Sequence, residues 1–169
     1  MANDVDVIYN ADQTAVNYKY LPSKTLNPTK DNTVWIKCGR RTKERATAML
    51  LADTTGKKHP LFLVMKSKKS KIKEVERHDC RNFGNPTAWW NSGLSLTFLE
   101  YHFARREGVL DKKVILLWDD FSAHFTDDVV AYAECINVIL ERVPPRFTWC
   151  CQPADVAWIR PLKTNLRDR

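Results

Sequence analysis

The stretch from Val114 to Asp120, VILLWDD, constrains the fold more than any other part of the chain. Its five consecutive apolar residues, without polar alternation, predict a strand that is covered on both faces. The strand ends on two adjacent aspartates, and negative charges near the interior lose hydration unless a cation or a donor compensates them. The alternative is that Asp119 or Asp120 only caps a following helix, which is the usual role of a lone aspartate after a strand.

Length and composition narrow the class of protein. At 169 residues with 44% hydrophobic side chains, the chain suits one domain with a hydrophobic core. Its formal charge of +7 favours a polyanionic partner, nucleic acid first, although many basic proteins bind none. The odd number of cysteines, five, favours a reduced intracellular protein. No apolar run is long enough to span a membrane, so we expect no membrane partner. Strand-like and helix-like patterns reach both ends, which predicts a fragment.

The order of elements predicts an α/β fold. Five segments have strand patterns: Val5–Asp12, Ala46–Asp53, Leu61–Lys66, Val114–Trp118 and Ile136–Val143. Helical spacing is found around Leu99, after Thr126 and in the last twelve residues or so, whereas Gln13–Lys43 and Asn82–Gly93 are predicted to be irregular. Strands followed by alternating strands and helices indicate a mixed five-stranded sheet, antiparallel on one side and parallel on the other, flanked by helices.

Three distant carboxylates are predicted to meet on this sheet. Asp12 ends the first strand, Asp119 ends the fourth, and Asp155 opens the last helix. Right-handed crossovers allow the first and fourth strands to lie side by side, which would gather the three carboxylates at one edge.

Three motifs carry a resemblance to a known family: NADQT (Asn10–Thr14), LLWDDFSAH (Leu116–His124) and VPPRFTWCCQPAD (Val143–Asp155). They resemble, in this order, motifs of the DDE superfamily endonuclease domain of pogo-like transposases, a family that includes Tigger, jerky and centromere protein B relatives. The third motif fits the family pattern P-P-x-x-T-x-x-x-Q-P-x-D at every fixed position. LPSKTL and the hairpin from Thr42 to Val64 are also similar to the family. The resemblance implies a ribonuclease H-like fold.

The same resemblance implies a catalytic triad of Asp12, Asp119 and Asp155, whose carboxylates hold two Mg²⁺ or Mn²⁺ ions. Such carboxylates suit hard divalent cations, and two cations about 3.5–4 Å apart activate the attacking oxygen and stabilise the leaving oxygen. The family's usual Asn after the second aspartate is here Asp120, so the second ligand is Asp119 or Asp120, with the motif register favouring Asp119. His124 matches a family histidine and is a candidate for contacting substrate or orienting a ligand, although a histidine at the start of a helix is as often merely structural. Gln13 replaces the family's common Glu.

We therefore expect a metal-dependent DNA endonuclease or strand-transfer domain, over residues 1–169, of a pogo-like transposase or a protein derived from one. DNA is the expected partner, with a homo-oligomer on DNA as a further candidate, and the nucleus is the expected location. The helix-turn-helix region that usually precedes this domain is expected to be missing. The alternative is a domesticated, catalytically inactive nucleic-acid-binding protein that retains the fold. The presence of all three aspartates argues against simple decay.

Two further features have competing interpretations. The lysine block Lys66–Lys73 is either a solvated loop or a surface that contacts DNA phosphates. Its cationic candidates are Lys66, Lys68, Lys69, Lys71 and Lys73. Trp89 and Trp90 could stack on bases, but we expect them to anchor their loop onto the following helix.

Overall fold

The computed structural model describes residues 5–17, 45–66 and 80–167, and every structural statement below concerns those ranges. The strands are β1 (Val5–Asn17), β2 (Arg45–Asp53), β3 (Leu61–Lys66), β4 (Cys80–Asn85), β5 (Lys113–Trp118) and β6 (Val138–Arg142). The α-helices are α1 (Ser92–Phe103), α2 (Asp127–Cys135), α3 (Thr148–Cys151) and α4 (Ile159–Arg167). A 3₁₀ turn, Ser122–His124, follows β5, and a wide turn, Ala154–Trp158, precedes α4.

Within the described residues these strands form one mixed sheet of six strands in the order β4-β3-β2-β1-β5-β6. β1 pairs antiparallel with β2 and parallel with β5, and β5 pairs parallel with β6. The predicted mixed α/β architecture is confirmed, including the adjacency of the first strand and the Val114–Trp118 strand. The strand count differs from the predicted five, because the chain adds β4 at one edge.

The added strand β4 falls partly in the segment that we predicted to be an irregular loop, so that prediction was wrong for Asn82–Asn85. Its sequence, CRNFGN, holds a glycine and two asparagines, which are depleted in strands. The strand forms because it pairs in parallel with β3 along its whole length. Phe83 also stacks on Phe62 with ring centroids 4.0 Å apart. Tertiary pairing at the sheet edge therefore overrides a weak local preference.

β1 is longer than predicted. It continues five residues past Asp12 to Asn17, because the antiparallel pairing with β2 extends to Asn17 and Arg45. Its parallel pairing with β5 ends earlier, at Asn10 and Leu117. Asp12 thus lies two residues beyond the β1–β5 pairing and inside the strand, not at its end. The rest of the predicted irregular segment, residues 18–43, lies outside the described residues.

The hydrophobic core lies between the sheet and helices α1 and α2. Its largest fully buried side chains include Phe62, Phe98, Phe103 and Trp118. Along β5, Val114, Leu116 and Trp118 are buried, whereas the intervening apolar residues are only half-buried. The run VILLW is therefore fully covered on one face and partly covered on the other. No helix among the described residues is long and apolar enough to cross a bilayer.

The ends of the helices agree with their local sequence. Asn91 caps α1 by accepting a hydrogen bond from the amide of Leu94. α2 begins after Thr126 as predicted, although the threonine side chain makes no capping hydrogen bond. The wide turn Ala154–Trp158 leads into α4 just before Pro161, where the proline ring would otherwise clash with the preceding turn of a regular helix.

Candidate active site

Asp12 is a buried carboxylate in the middle of β1, only 6% exposed. Burial raises the pKa of Asp12, and the negative charge of Asp155 raises it further, to about 8. The backbone amide of Gln13, which donates to Asp12 Oδ1 at 2.7 Å, acts in the opposite direction. The charge of Asp119 adds a smaller increase. The structure thus places Asp155 and Asp119 close enough for their charges to act on Asp12.

Two buried side-chain amides, Asn10 and Gln152, hold the segment that carries Asp155 against β1, and we call this pair the amide clamp. Gln152 Nε2 donates to the carbonyl oxygen of Ala11 at 2.9 Å. Asn10 Nδ2 donates to Gln152 Oε1 at 3.1 Å and to the carbonyl oxygen of Leu117 at 3.2 Å. Asn10 Oδ1 accepts from the amide of Ala154 at 3.0 Å. The clamp therefore ties β1, β5 and the turn at Asp155 together.

We did not predict a role for Asn10 or Gln152, although both stand in the motifs that carry the predicted aspartates. Gln152 is fully buried and Asn10 is 5% exposed. The available signal was their polarity: an amide two residues before Asp12 and another three residues before Asp155. Because buried amides need partners, polar residues fixed beside catalytic candidates indicate a hydrogen-bonding role.

Asp119 follows β5, and its side chain is 24% exposed. Nε2 of His124 lies 3.0 Å from Asp119 Oδ1. Neither atom makes a well-aligned hydrogen bond, so the contact is close but not ideal in angle. Burial lowers the pKa of His124, while the carboxylate of Asp119 partly offsets this change. The 3₁₀ turn after β5 places His124 next to Asp119.

The imidazole of His124 is fully buried and held between other side chains. Its ring stacks on Trp118, with centroids 3.8 Å apart and planes 12° from parallel. Its Nδ1 lies 3.1 Å from Oγ of Ser95 in α1. This placement disfavours contact of His124 with substrate and agrees with either a structural role or a role in orienting Asp119.

Asp120 has a different environment from Asp119. Its Oδ1 accepts a hydrogen bond from Arg142 Nη1 on the neighbouring strand β6 at 2.6 Å. Both side chains are partly exposed, at 31% and 50%. The charge of Asp119 raises the pKa of Asp12. The geometry therefore favours Asp119 as the member of the carboxylate group.

The remaining predicted residues are placed as follows. Lys66 is exposed at the end of β3. The other candidate lysines, Lys68, Lys69, Lys71 and Lys73, lie outside the described residues. Trp90 is 5% exposed and its Nε1 donates to Ser95 Oγ at 2.9 Å, so it anchors its loop onto α1 as predicted. Trp89 is 63% exposed and lies under the guanidinium of Arg45.

The carboxylates suit divalent cations. Among the described residues, no group of three or more acidic, histidine or cysteine side chains is placed to hold a metal ion. Mg²⁺ is usually held by only one or two protein carboxylates and keeps several waters, so a group of three is not required. Burial and the neighbouring negative charges destabilise the ionised form of Asp12. This observation fits a site whose charge is balanced by cations.

Comparison with known proteins identifies the family. Residues 43–169, about three quarters of the chain, match the family model described as DDE superfamily endonuclease. This chain belongs to the DDE superfamily of endonucleases. A human relative, described as pogo transposable element with KRAB domain, is 27% identical over 172 residues. That alignment covers 98% of this chain but 28% of the relative, so the chain spans about a quarter of the relative's length.

Solved transposase structures have the same fold as this DDE endonuclease chain. The Mos1 transposase paired-end complex with the left transposon end matches 94% of this chain and 41% of its own, with a TM-score of 0.56 and 13% identity. The Mos1 mariner paired-end complex with Mn matches 94% of this chain and 42% of its own, with a TM-score of 0.57 and 15% identity. At these identities the likeness concerns the fold, and it confirms the ribonuclease H-like architecture.

Proposed function

We propose that residues 1–169 act as the catalytic domain of a pogo-like transposase, or of a protein derived from one, which cuts DNA with Asp12, Asp119 and Asp155. The observation that carries the proposal is the position of the buried Asp12 on β1, beside the clamped segment that carries Asp155 and next to the strand β5 that leads to Asp119. Burial and the charges of Asp155 and Asp119 raise the pKa of Asp12, in agreement with this position. In a chain of the DDE superfamily, three carboxylates from β1, the end of β5 and the turn before α4 are suited to holding divalent cations.

The three aspartates would hold two Mg²⁺ or Mn²⁺ ions. When bound, such ions activate the attacking oxygen, stabilise the leaving oxygen and balance the charge that develops on phosphorus. Asp12 must lose its proton before it can act as a ligand, since a protonated carboxyl is a poor one. Asp155 is exposed and can meet substrate from solvent, whereas the amide clamp keeps its backbone beside β1.

We propose DNA as the substrate and the nucleus as the place of action. The Mos1 paired-end complex contains a transposon end, and a related Mos1 complex contains Mn. The formal charge of +7 and the exposed Lys66 are consistent with phosphate contacts. A homo-oligomer on DNA is part of the same proposal, by analogy with the paired-end complexes of these relatives.

The test is nicking of supercoiled plasmid by the purified chain with Mn²⁺. We expect slow nicking that is abolished in Asp12→Ala, Asp119→Ala and Asp155→Ala. It should be slow because productive orientation of a phosphodiester accounts for about 7–11 kcal/mol of such barriers, and a chain spanning a quarter of its relative supplies little of it. Nicking that survives all three substitutions would exclude this triad. Normal Mn²⁺ binding without nicking would favour the inactive, domesticated alternative.

A matched pair of variants separates the two neighbouring aspartates. We expect Asp119→Asn to abolish Mn²⁺ binding in calorimetry, because a neutral amide cannot replace a charged ligand. Asp120→Asn should leave binding nearly unchanged, since Asp120 is already paired with Arg142. The opposite result would assign the ligand to Asp120.

A further inference from the structure

We propose that Ser95 is a positioning residue that sets the proton on His124 so that the neutral imidazole donates to Asp119 and orients it for a cation. The inference rests on the proposed function for the role of Asp119, but the hydrogen-bonding part concerns the protein without metal. Ser95 lies in α1, distant in sequence from all three motifs, and nothing in its local sequence marks it as functional.

Ser95 has an unusual set of partners for a helical serine. Its side chain is fully buried. A serine in a helix commonly donates a hydrogen bond to the carbonyl oxygen four residues earlier. Here Ser95 Oγ lies 3.5 Å from the carbonyl oxygen of Asn91, at the limit of a hydrogen bond. The hydroxyl instead faces out of the helix, toward the carbonyl oxygen of Ala123 at 2.8 Å and Nδ1 of His124 at 3.1 Å.

Trp90 limits what this hydroxyl can do. The indole Nε1 donates to Ser95 Oγ at 2.9 Å and occupies one of its lone pairs. The serine keeps a single proton to donate, and either the carbonyl of Ala123 or Nδ1 of His124 can receive it. This choice determines where the proton of a neutral imidazole lies.

The two arrangements differ at Asp119. If Ser95 donates to Nδ1, the ring proton is on Nε2, and a donor faces the acceptor Asp119 Oδ1 across 3.0 Å, away from the ideal hydrogen-bond angle. If Ser95 donates to Ala123, Nδ1 must carry the ring proton, and the lone pair of Nε2 faces the carboxylate across the same distance. The first arrangement leaves Ser95 Oγ and the carbonyl oxygen of Ala123 as two neutral acceptors 2.8 Å apart. The second leaves Nε2 facing a charged carboxylate oxygen at 3.0 Å, and the full charge makes this repulsion the larger one. The first arrangement is therefore favoured.

The chain of donors then runs from Trp90 to Ser95, to His124 and to Asp119 Oδ1. Stacking on Trp118 restrains the plane of the imidazole, so Nε2 has little freedom to turn away. Because Oδ1 is engaged from behind, Oδ2 is left as the oxygen that can meet a cation. Partners of this kind, one step removed from the ligand, commonly change metal affinity by about 10–100-fold when they are lost.

The test compares Ser95→Ala with Thr97→Ala, a matched variant on the same helix. Thr97 also loses a hydroxyl that is bonded to a backbone carbonyl, that of Gly93 at 2.9 Å, but it has no contact with His124. The tautomer of His124 is measured by ¹⁵N NMR of histidine-labelled, metal-free protein, with the signal assigned by its loss in His124→Gln. Mn²⁺ affinity is measured by calorimetry.

We expect the proton on Nε2 in the wild type and in Thr97→Ala. In Ser95→Ala it should move toward Nδ1, and Mn²⁺ affinity should fall about 10-fold or more. Ser95→Thr, which restores the hydroxyl, should recover both. Ser95→Cys has nearly the size of serine but a weak donor, so it provides the same test if Ser95→Ala does not fold.

The proposal is overturned by a wild-type proton on Nδ1, or by a Ser95→Ala protein whose tautomer and Mn²⁺ affinity are unchanged. Failure of the proposed function is a different outcome: the wild type would bind no Mn²⁺, while the tautomer would still change in Ser95→Ala.

Discussion

Asp155 and Asp119 approach Asp12 from two sides that are built differently. On the Asp155 side, the amide clamp makes four hydrogen bonds between chain segments, and backbone groups take part in three of them. On the Asp119 side, one buried imidazole contacts the aspartate side chain without an aligned hydrogen bond. The clamp positions whole segments, whereas the imidazole acts on one carboxylate. Substitutions in the amide clamp should therefore destabilise the fold as a whole, whereas substitutions at His124 should affect mainly Asp119.

The largest effect is expected at Asp12, where the two sides meet. Because folding raises the pKa of Asp12 from 3.8 to about 8, the folded protein holds this proton more tightly than the unfolded chain. The metal-free protein should therefore lose stability as the pH rises from about 4 to about 8, by up to about 4 kcal/mol at neutral pH. Asp12→Asn should remove this loss and be more stable than the wild type near pH 7.

Urea unfolding in EDTA at several pH values measures this effect, with Asp6→Asn on the same strand as the control. Asp6 is half-exposed and faces Lys112, so its substitution should leave the pH dependence unchanged. Added Mn²⁺ should stabilise the wild type but not Asp12→Asn. An equal pH dependence in wild type and Asp12→Asn would show that the titration of Asp12 does not cause the loss of stability.

The next effect is expected from breaking the amide clamp. Gln152→Leu keeps a similar volume but leaves the carbonyl of Ala11 and the amide of Asn10 without this partner. Each unsatisfied buried group costs about 1–3 kcal/mol, so we expect a loss of about 3 kcal/mol in the free energy of unfolding, together with loss of Mn²⁺ binding. Thermal unfolding should then shift down by about 6–12 °C.

Asn165→Leu is the control for the clamp, because it removes an exposed amide in α4. It should change the melting temperature little. If Gln152→Leu were as stable as this control, the clamp would not be what holds the Asp155 segment on β1, and the contrast between the two sides would disappear.

The smallest effect is expected at Arg142, which belongs neither to the amide clamp nor to the contact between His124 and Asp119. Its ion pair with Asp120 is partly exposed, and such pairs contribute at most about 1 kcal/mol. Arg142→Ala should therefore change stability by less than about 1 kcal/mol and leave Mn²⁺ affinity unchanged, with Arg142→Lys as the variant that keeps the charge. A clear gain in Mn²⁺ affinity would mean that Asp120, once released, binds the cation.

The sequence predicted those parts of the fold that depend on local pattern. The run VILLW, the hairpin strands and the order of strands and helices were sufficient for a mixed sheet with β1 beside β5. They missed β4 and the extension of β1, because CRNFGN and QTAVN have weak strand patterns and become strands only by pairing with β3 and β2. Cross-strand pairing, unlike hydrophobic periodicity, depends on residues far away in the chain.

The candidate site shows the same division. The motifs and their spacing predicted Asp12, Asp119, Asp155 and His124 as site residues. In the structure His124 contacts Asp119, and the charges of Asp119 and Asp155 act on Asp12. The side chains that hold these residues were not predicted: Asn10 and Gln152, which are 142 positions apart, and Ser95, which is 29 positions from His124. Motif spacing can indicate which groups take part in chemistry, but the partners that hold them are determined by the packing of segments, which one sequence does not display.

The continuation of β1 beyond Asp12 has a consequence for motion in the site. Residues on both sides of Asp12 are paired with β2, so the backbone that carries this carboxylate cannot shift without breaking hydrogen bonds between β1 and β2. Asp119 lies just past the end of β5, where small adjustments are cheap. The backbone next to Asp155 is held by the amide clamp, whereas the Asp155 side chain is exposed. If the three aspartates act together as proposed, Asp12 is the fixed member, and the side chains of Asp119 and Asp155 are the ones that can adjust.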